Sequence, residues 1–266
     1  MTRGKVENAG NERSCADCPI DYQNPSDAFG PGEVALLQAK PGAPRPAPRG
    51  AFLIQEGDPT SSVVVLTTGW AVRTRLMPDG RELIFQVHLP GDIIGYGPAL
   101  LGLPSNFSVR ALTPITCHSI DRARVAALSI TAPALAQKLM LRLARRHRIF
   151  EHWFLHIGGR QVEERLAWFL LDLYARLRQL GLVEGNTFRL PLSQQQIADA
   201  VGATVVHVNR VLRRLREAGL VTLRDRQVCL DDPVGLRRIA CLCDAPRGRS
   251  RPGQCCATLG RRIAKV

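Results

Sequence analysis

Between positions 192 and 220 the chain sets helix signals and helix breakers so close together that few folds can satisfy them. Ser193 is a capping residue ahead of a short segment whose apolar members, Ile197, Ala198 and Val201, fall on one side. Gly202 follows, where a helix end favours a left-handed residue. Thr204 can cap a second helix in which Val208, Val211, Leu212 and Leu215 recur three and four apart and must face inward. Gly219 ends it. The inward pattern leaves Thr204, Val205, His207, Asn209, Arg210, Arg213 and Arg214 outside, with Ser193, Gln194 and Gln195 at the start of the first helix. Such a basic, hydrogen-bonding face suits the grooves and phosphates of double-stranded DNA. Residues 221–230 then alternate as strand, turn and strand, which predicts a wing. An ordinary helical hairpin with solvated arginines would share the periodicity. It would not also supply the turn glycine, the caps and the wing.

Charge supports a DNA partner once it is divided along the chain. Residues 1–133 carry 12 basic and 12 acidic side chains, whereas residues 134–266 carry 24 and 11, so the whole net charge of +13 lies in the second half. A neutral half joined to a basic half reads as a sensor joined to a phosphate-binding module. No apolar run approaches the roughly 20 residues of a membrane span, and the first residues lack a signal-peptide core. The expectation is a cytoplasmic protein without a membrane partner. Eight cysteines in a reducing compartment point to free thiols, metal ligands or redox switches rather than structural disulfides.

The expected class is α+β, in five segments. Residues 1–50 form an extension containing Cys15-Ala-Asp-Cys18 and a proline-rich spacer at 41–49, extended and unpacked. Residues 51–130 show short β runs with turn signals every 8–12 residues, the pattern of a barrel or jelly roll. Residues 131–157 read as one long helix with Leu135, Leu139, Leu143, His147, Phe150, Phe154 and Ile157 on one side. Such a stripe could be ordinary core; between two domains with cores of their own it reads as a dimer seam. Residues 158–235 hold the DNA-binding domain, after a Gly158-Gly159 hinge, and 236–266 read as a disordered tail rich in Gly, Arg and Cys. His152 and His156 stand one turn apart, as a metal would need, but read as solvated helix residues.

These pieces in this order resemble the Crp–Fnr family of bacterial transcription regulators over about residues 51–235. The resemblance rests on Glu56-Gly57-Asp58, Leu89-Pro-Gly-Asp92 with Ile93-Ile-Gly95, Val162-Glu-Glu-Arg165-Leu-Ala, and the two helices ending at Gly219-Leu220. It implies a homodimer with a cyclic-nucleotide-type β-barrel, a long dimer helix, a C-terminal winged helix-turn-helix, and RNA polymerase as a further partner.

The chain also departs from that pattern. Where cyclic-nucleotide-binding members place a Gly-Glu pair and then an Arg-Ser or Arg-Thr pair, this chain has Gly95-Tyr96 and, near the second place, Ser105-Asn106. A buried phosphodiester needs a cation or several donors, and the nearest arginine in sequence, Arg110, is expected to point elsewhere, so cyclic nucleotide is disfavoured. Oxygen-sensing members hold an iron–sulfur cluster on three close cysteines and a distant fourth. Cys15, Cys18 and Cys117 match three of those places, while Tyr22-Gln-Asn-Pro25 stands where the third close cysteine would be. A four-iron cluster needs four ligands. Tail cysteines Cys241, Cys243, Cys255 and Cys256 follow no metal-ligand spacing. In the second helix, Val205 and Val206 replace an arginine and a glutamate that read guanine and cytosine in many members, while Arg210 matches a further contacting arginine.

Three function classes follow. The leading one is a dimeric regulator whose effector is not a cyclic nucleotide. The alternative is a redox or gas sensor of the same architecture, using Cys15, Cys18 and Cys117 for a cluster or thiol switch. An enzyme is disfavoured: no phosphate-binding glycine loop, His-Glu-x-x-His or nucleophile elbow appears, and Glu163-Glu164 and Asp231-Asp232 are sequence neighbours that diverge in direction.

Overall fold

The β runs are too short and too often broken by turns to make one wide sheet, and they fold into two antiparallel four-stranded sheets facing each other. In this computed structural model, which describes residues 44–240, the strands are β1 (Arg45–Ala47), β2 (Phe52–Ile54), β3 (Ser62–Thr68), β4 (Ala71–Leu76), β5 (Glu82–His88), β6 (Ile93–Ile94), β7 (Ser108–Ala111) and β8 (Ile115–Asp121). One sheet runs β1-β8-β3-β6 and the other β2-β7-β4-β5. Ile54, Val64, Leu66, Ile94, Phe107, Val109 and Ile115 fill the space between them. Gly69 turns β3 into β4 where no side chain fits, since a Cβ there would lie 2.3 Å from the Pro114 carbonyl oxygen.

Helix α1 (Tyr96–Leu101) follows β6, and α2 (Arg122–Thr131) leaves β8. The long helix α3 (Pro133–Gly159) opens on a proline, whose missing N–H costs nothing at a first turn. Next come α4 (Val162–Gln179), β9 (Thr187–Arg189), α5 (Gln194–Val201), α6 (Val205–Glu217), β10 (Val221–Arg224), β11 (Gln227–Leu230) and α7 (Pro233–Ile239). The wing is a three-stranded sheet, β10-β11-β9. Asp225 and Arg226 close its tip with φ of 50° and 61°, the left-handed pair that a two-residue hairpin demands.

Several sequence expectations need correction. Part of the proline-rich spacer is not an unpacked linker: Arg45, Pro46 and Ala47 pair with Cys117, Thr116 and Ile115 as an edge strand, where a proline is tolerated. The DNA-binding domain does not stop at 235, because α7 buries Leu236 and is capped by Asp232, with Ala240 buried behind it. The long-helix stripe is not one seam. Leu135 and Leu139 pack on the chain's own barrel with Val65, Ile120 and Leu128. Leu143 is half-buried, whereas Phe150 and Phe154 are 53% and 71% exposed. His156 is not solvated; it is buried with its ring 5.4 Å from that of Trp168.

The barrel and the DNA-binding domain share a core. The outer face of β4 and β5, with Val72, Ile84 and Val87, packs into the same cluster as Trp168, Leu170 and Leu173 of α4. At its rim one carboxylate joins three parts of the molecule. Arg176 of α4 donates to Asp92 Oδ2 at 2.7 Å and to the Val87 carbonyl at 3.1 Å. Arg146 of α3 reaches the same Asp92 oxygen at 3.3 Å, and Arg142 donates to the Gly91 carbonyl. His88 Nδ1 lies 3.3 Å from that oxygen. Burial alone would raise the Asp92 pKa, but Arg176 and Arg146 outweigh it and hold the carboxyl well below the usual range. Burial pushes His88 down to about 4 against the opposing pull of Asp92, so the imidazole is neutral at pH 7 and donates through Nδ1.

Candidate nucleic-acid interface

The two helices of the DNA-reading unit are fixed at every end. Ser193 Oγ accepts from the Gln196 amide at 3.2 Å while the Gln196 side chain accepts from the Ser193 amide at 2.9 Å, a reciprocal cap on α5. Gly202 takes φ 65° at the end of α5. Thr204 Oγ1 accepts from the His207 amide at 3.2 Å and starts α6. The Val162-Glu-Glu-Arg165 stretch supports this unit from α4. Glu164 closes the cap of α4 on the Gln161 amide at 2.8 Å. Arg165 donates to the Gly202 carbonyl at 3.2 Å, and Glu163 pairs with Arg214 at 3.2 Å.

With Val208, Val211 and Leu215 buried, α6 presents one outer face. Asn209, Arg210 and Arg213 are exposed on it. Asn209 Nδ2 donates to Gln194 Oε1 at 3.0 Å, so the two helices share a polar bridge. Gln195 is tied to Asp199 at 2.8 Å and remains exposed. Val205 is partly buried against the core; the outward place at the start of α6 belongs to Val206, 71% exposed. The swap follows from helix geometry: residues adjacent in sequence stand about 100° apart, so only one of two neighbouring valines can face the core. His207 is half-buried, and Arg214 is engaged with Glu163. The wing adds exposed Arg189, Arg224 and Arg226, which sequence reading missed because their shared edge depends on β9 joining the hairpin.

The barrel residues singled out from sequence are scattered. Ser105 is buried with its hydroxyl donating to the Phe107 carbonyl at 2.7 Å, and Asn106 is exposed. Gly95 precedes α1, and Tyr96 lines a cavity at the barrel's inner edge. Arg110 points away from the Ser105-Asn106 place and pairs with Glu82 across the sheet. Cys117 is 4% exposed in the barrel core; burial raises its thiol pKa, the opposite of what a thiolate ligand needs. Cys15, Cys18 and the tail cysteines Cys241, Cys243, Cys255 and Cys256 lie outside the described residues. Among the described residues no three His, Cys, Asp or Glu side chains gather as a metal site. Among the described residues, no helix is long and apolar enough to cross a membrane.

Comparison with known proteins agrees with this architecture. Residues 44–131 match the cyclic nucleotide-binding domain model and residues 164–239 match the Crp-like helix-turn-helix domain model. The transcriptional activator protein FnrA of Stutzerimonas stutzeri is 32% identical over 200 residues, covering 74% of this chain and 80% of that protein. The nitrogen fixation regulation protein FixK of Rhizobium meliloti is 33% identical over 221 residues, 83% of this chain and 93% of that one. The solved structure of FixK2 from Bradyrhizobium japonicum superposes with a TM-score of 0.64 at 25% identity, covering 74% of this chain and 96% of that one. With barrel, long helix and capped DNA-reading pair matched in this order, the chain belongs to the Crp–Fnr family of transcription regulators.

Proposed function

We propose that the protein is a homodimeric regulator that reads an inverted-repeat operator in double-stranded DNA through α6. The observation that carries this is the outer face of α6, where Val206, Asn209, Arg210 and Arg213 stand exposed over a buried apolar seam. Valine can meet a thymine methyl, and arginine can fork onto the two acceptors of guanine. The dimer is supported by Phe150, Phe154 and Ile157, which are large, apolar and exposed on the C-terminal half of α3. Leu135 and Leu139 pack on the chain's own barrel and α2 instead. Two copies would set their α6 helices one DNA turn apart, about 34 Å. DNase footprinting together with sedimentation tests this. Protection of two symmetric half-sites by a dimer is the expected result; a monomer protecting one half-site refutes it.

The protein acts in the cytoplasm with RNA polymerase as a partner, a reading supported by relatives named transcriptional activators. Its output is regulation rather than catalysis. Its effector is not a cyclic nucleotide: the phosphate-loop places hold a Ser105 whose hydroxyl is spent on the Phe107 carbonyl and an exposed Asn106. Calorimetry with millimolar cyclic AMP and cyclic GMP should show no saturable heat.

A further inference from the structure

A cavity of about 270 Å³ lies where the barrel meets the DNA-binding module. Its walls are aromatic: Phe85 from β5, Phe150 and Trp153 from α3, and Trp168 and Phe169 from α4. Trp153 and Trp168 stack with ring centroids 5.1 Å apart. Ala200 of α5, the first helix of the DNA-reading pair, also lines it. A ligand there would touch both domains at once.

The polar side of the cavity carries more positive than negative charge. Arg176, Arg146 and Asp172 line it but belong to the Asp92 joint. Arg73 does not. Its guanidinium lies over the Phe107 ring, 3.3 Å from the centroid, and 5.1 Å from that of Phe85. It has no carboxylate partner among the described residues, and its Nε is a buried donor without an acceptor. Burial lowers its pKa to about 10, with Tyr96 opposing and Arg146 pushing the same way, so it is still a cation at neutral pH. Between the two guanidiniums sits one neutral amide, Gln86. With its oxygen toward Arg146 it accepts from Nη2 at 2.9 Å and Nε at 3.1 Å; turned over, it accepts from Arg73 Nη1 at 3.3 Å. The first arrangement gives the amide oxygen two donors in place of one and leaves Arg73 Nη1 without it. A partly buried cation whose Nε lacks an acceptor is costly in the empty protein. It is a ready grip for an anion.

We propose that this cavity binds a small planar aromatic carboxylate, its charge held by Arg73 beside Arg146 and its ring against Trp153, Trp168 and Phe85. Arginine presents a flat fork matched to a carboxylate, and the walls match a flat apolar body. The cation enters from the middle of β4, not from the loop at Ser105-Asn106. Coupling of this ligand to operator affinity rests on the regulator reading; binding itself does not.

The test is a fluorescence titration of the full chain without DNA, since two of its three tryptophans line the cavity. The probes are 1-naphthoate, the uncharged 1-naphthalenemethanol, acetate and 1-naphthyl phosphate. The expected result is saturable binding of naphthoate, with the alcohol and acetate weaker by about tenfold or more. Arg73→Met should lose about tenfold or more in naphthoate affinity without melting earlier, because it keeps an apolar chain beside Phe85 and Phe107 and removes a partly buried charge whose Nε has no acceptor. Arg75→Met on the same strand, whose guanidinium is exposed beside Glu56, should bind as the parent does. Equal affinity for acid and alcohol, no saturation at millimolar naphthoate, or undiminished binding by Arg73→Met overturns the proposal. Tighter binding of the naphthyl phosphate overturns the carboxylate assignment. The acid–alcohol comparison uses the unaltered protein, so it decides even if a variant folds poorly. Operator binding is measured separately by mobility shift; its failure would remove the regulator reading and leave the cavity result standing.

Discussion

Arginine does opposite jobs at the two ends of the DNA-binding module. On α6, Arg210 and Arg213 are exposed, and Arg213 has only a loose 3.9 Å pair with Glu217. At the far end of α4, Arg176 is buried against Asp92 and Asp172. Water keeps the first group charged at no cost, so those side chains stay available for phosphates and bases. The second group has lost its water, so each cation needs a fixed acceptor. Burial, not residue type, decides whether an arginine is a reader or an anchor.

The buried end should show the largest effect. Asp92→Asn removes the carboxylate that faces Arg176 and Arg146 and leaves their charges buried. Breaking one side of a buried pair costs about 3–5 kcal/mol, and urea denaturation should show a loss of that size. A loss under about 1 kcal/mol would mean that water reaches the joint and that the contrast with α6 is false.

The same joint predicts an acid-sensitive window. His88 has its pKa lowered from 6.5 to about 4 in the folded protein, so the unfolded chain binds the proton more readily. Above the unfolded value both states are neutral and nothing changes. As pH falls from 6.5 toward 4 the unfolded state gains protons first, and stability drops by on the order of 3 kcal/mol. Asp92, with a depressed pKa, keeps its contribution throughout that window and loses it only at lower pH. Denaturation midpoints at several pH values should therefore slope for the parent and flatten for His88→Gln. An equal slope in the variant would place the acid sensitivity elsewhere.

The exposed end was the more legible in sequence, for a physical reason. A helix pair writes its caps and inward stripe into about 30 consecutive residues, and Ser193, Gly202, Thr204 and Val208 stand where the spacing put them. Strand texture likewise showed a β-barrel, though not the edge strand at Arg45–Ala47, whose pairing partner is 72 residues away in the case of Arg45 and Cys117. The joint was invisible because Asp92 and Arg176 are 84 residues apart. Arg73 was missed likewise: period-two alternation puts it on the interior side, but only the fold shows that among the described residues no acid pairs with it there. The stripe on α3 misled because apolar spacing cannot distinguish the chain's own barrel, which covers Leu135, from a second copy, which would cover Phe154.

At the exposed end, Arg210→Ala tests reading itself. One bidentate arginine–guanine contact is worth about 1–3 kcal/mol of discrimination. The variant should bind its operator more weakly, bind scrambled DNA almost unchanged, and relax preference at one symmetric base pair. Equal loss on both DNAs would move Arg210 from the groove floor to the backbone.

The smallest effect separates two neighbours that sequence alone treats alike. Arg213 faces solvent, whereas Arg214 is held by Glu163 of α4 at 3.2 Å. Arg213→Ala should therefore leave stability within about 0.5 kcal/mol of the parent. It should lower operator and scrambled binding alike, and reduce the salt dependence by about one ion, because a phosphate contact is the same at every sequence. Arg214→Ala removes an interhelix pair that is only partly exposed, so its stability loss is larger, up to about 1 kcal/mol. Its salt slope should change less, since Glu163 already neutralises the charge in the free protein and competes with phosphate for it. The two slopes, read from titrations at several salt concentrations, decide the matter. If Arg214→Ala flattens the slope as much as Arg213→Ala does, the Glu163 pair opens on DNA and both arginines are readers of the backbone.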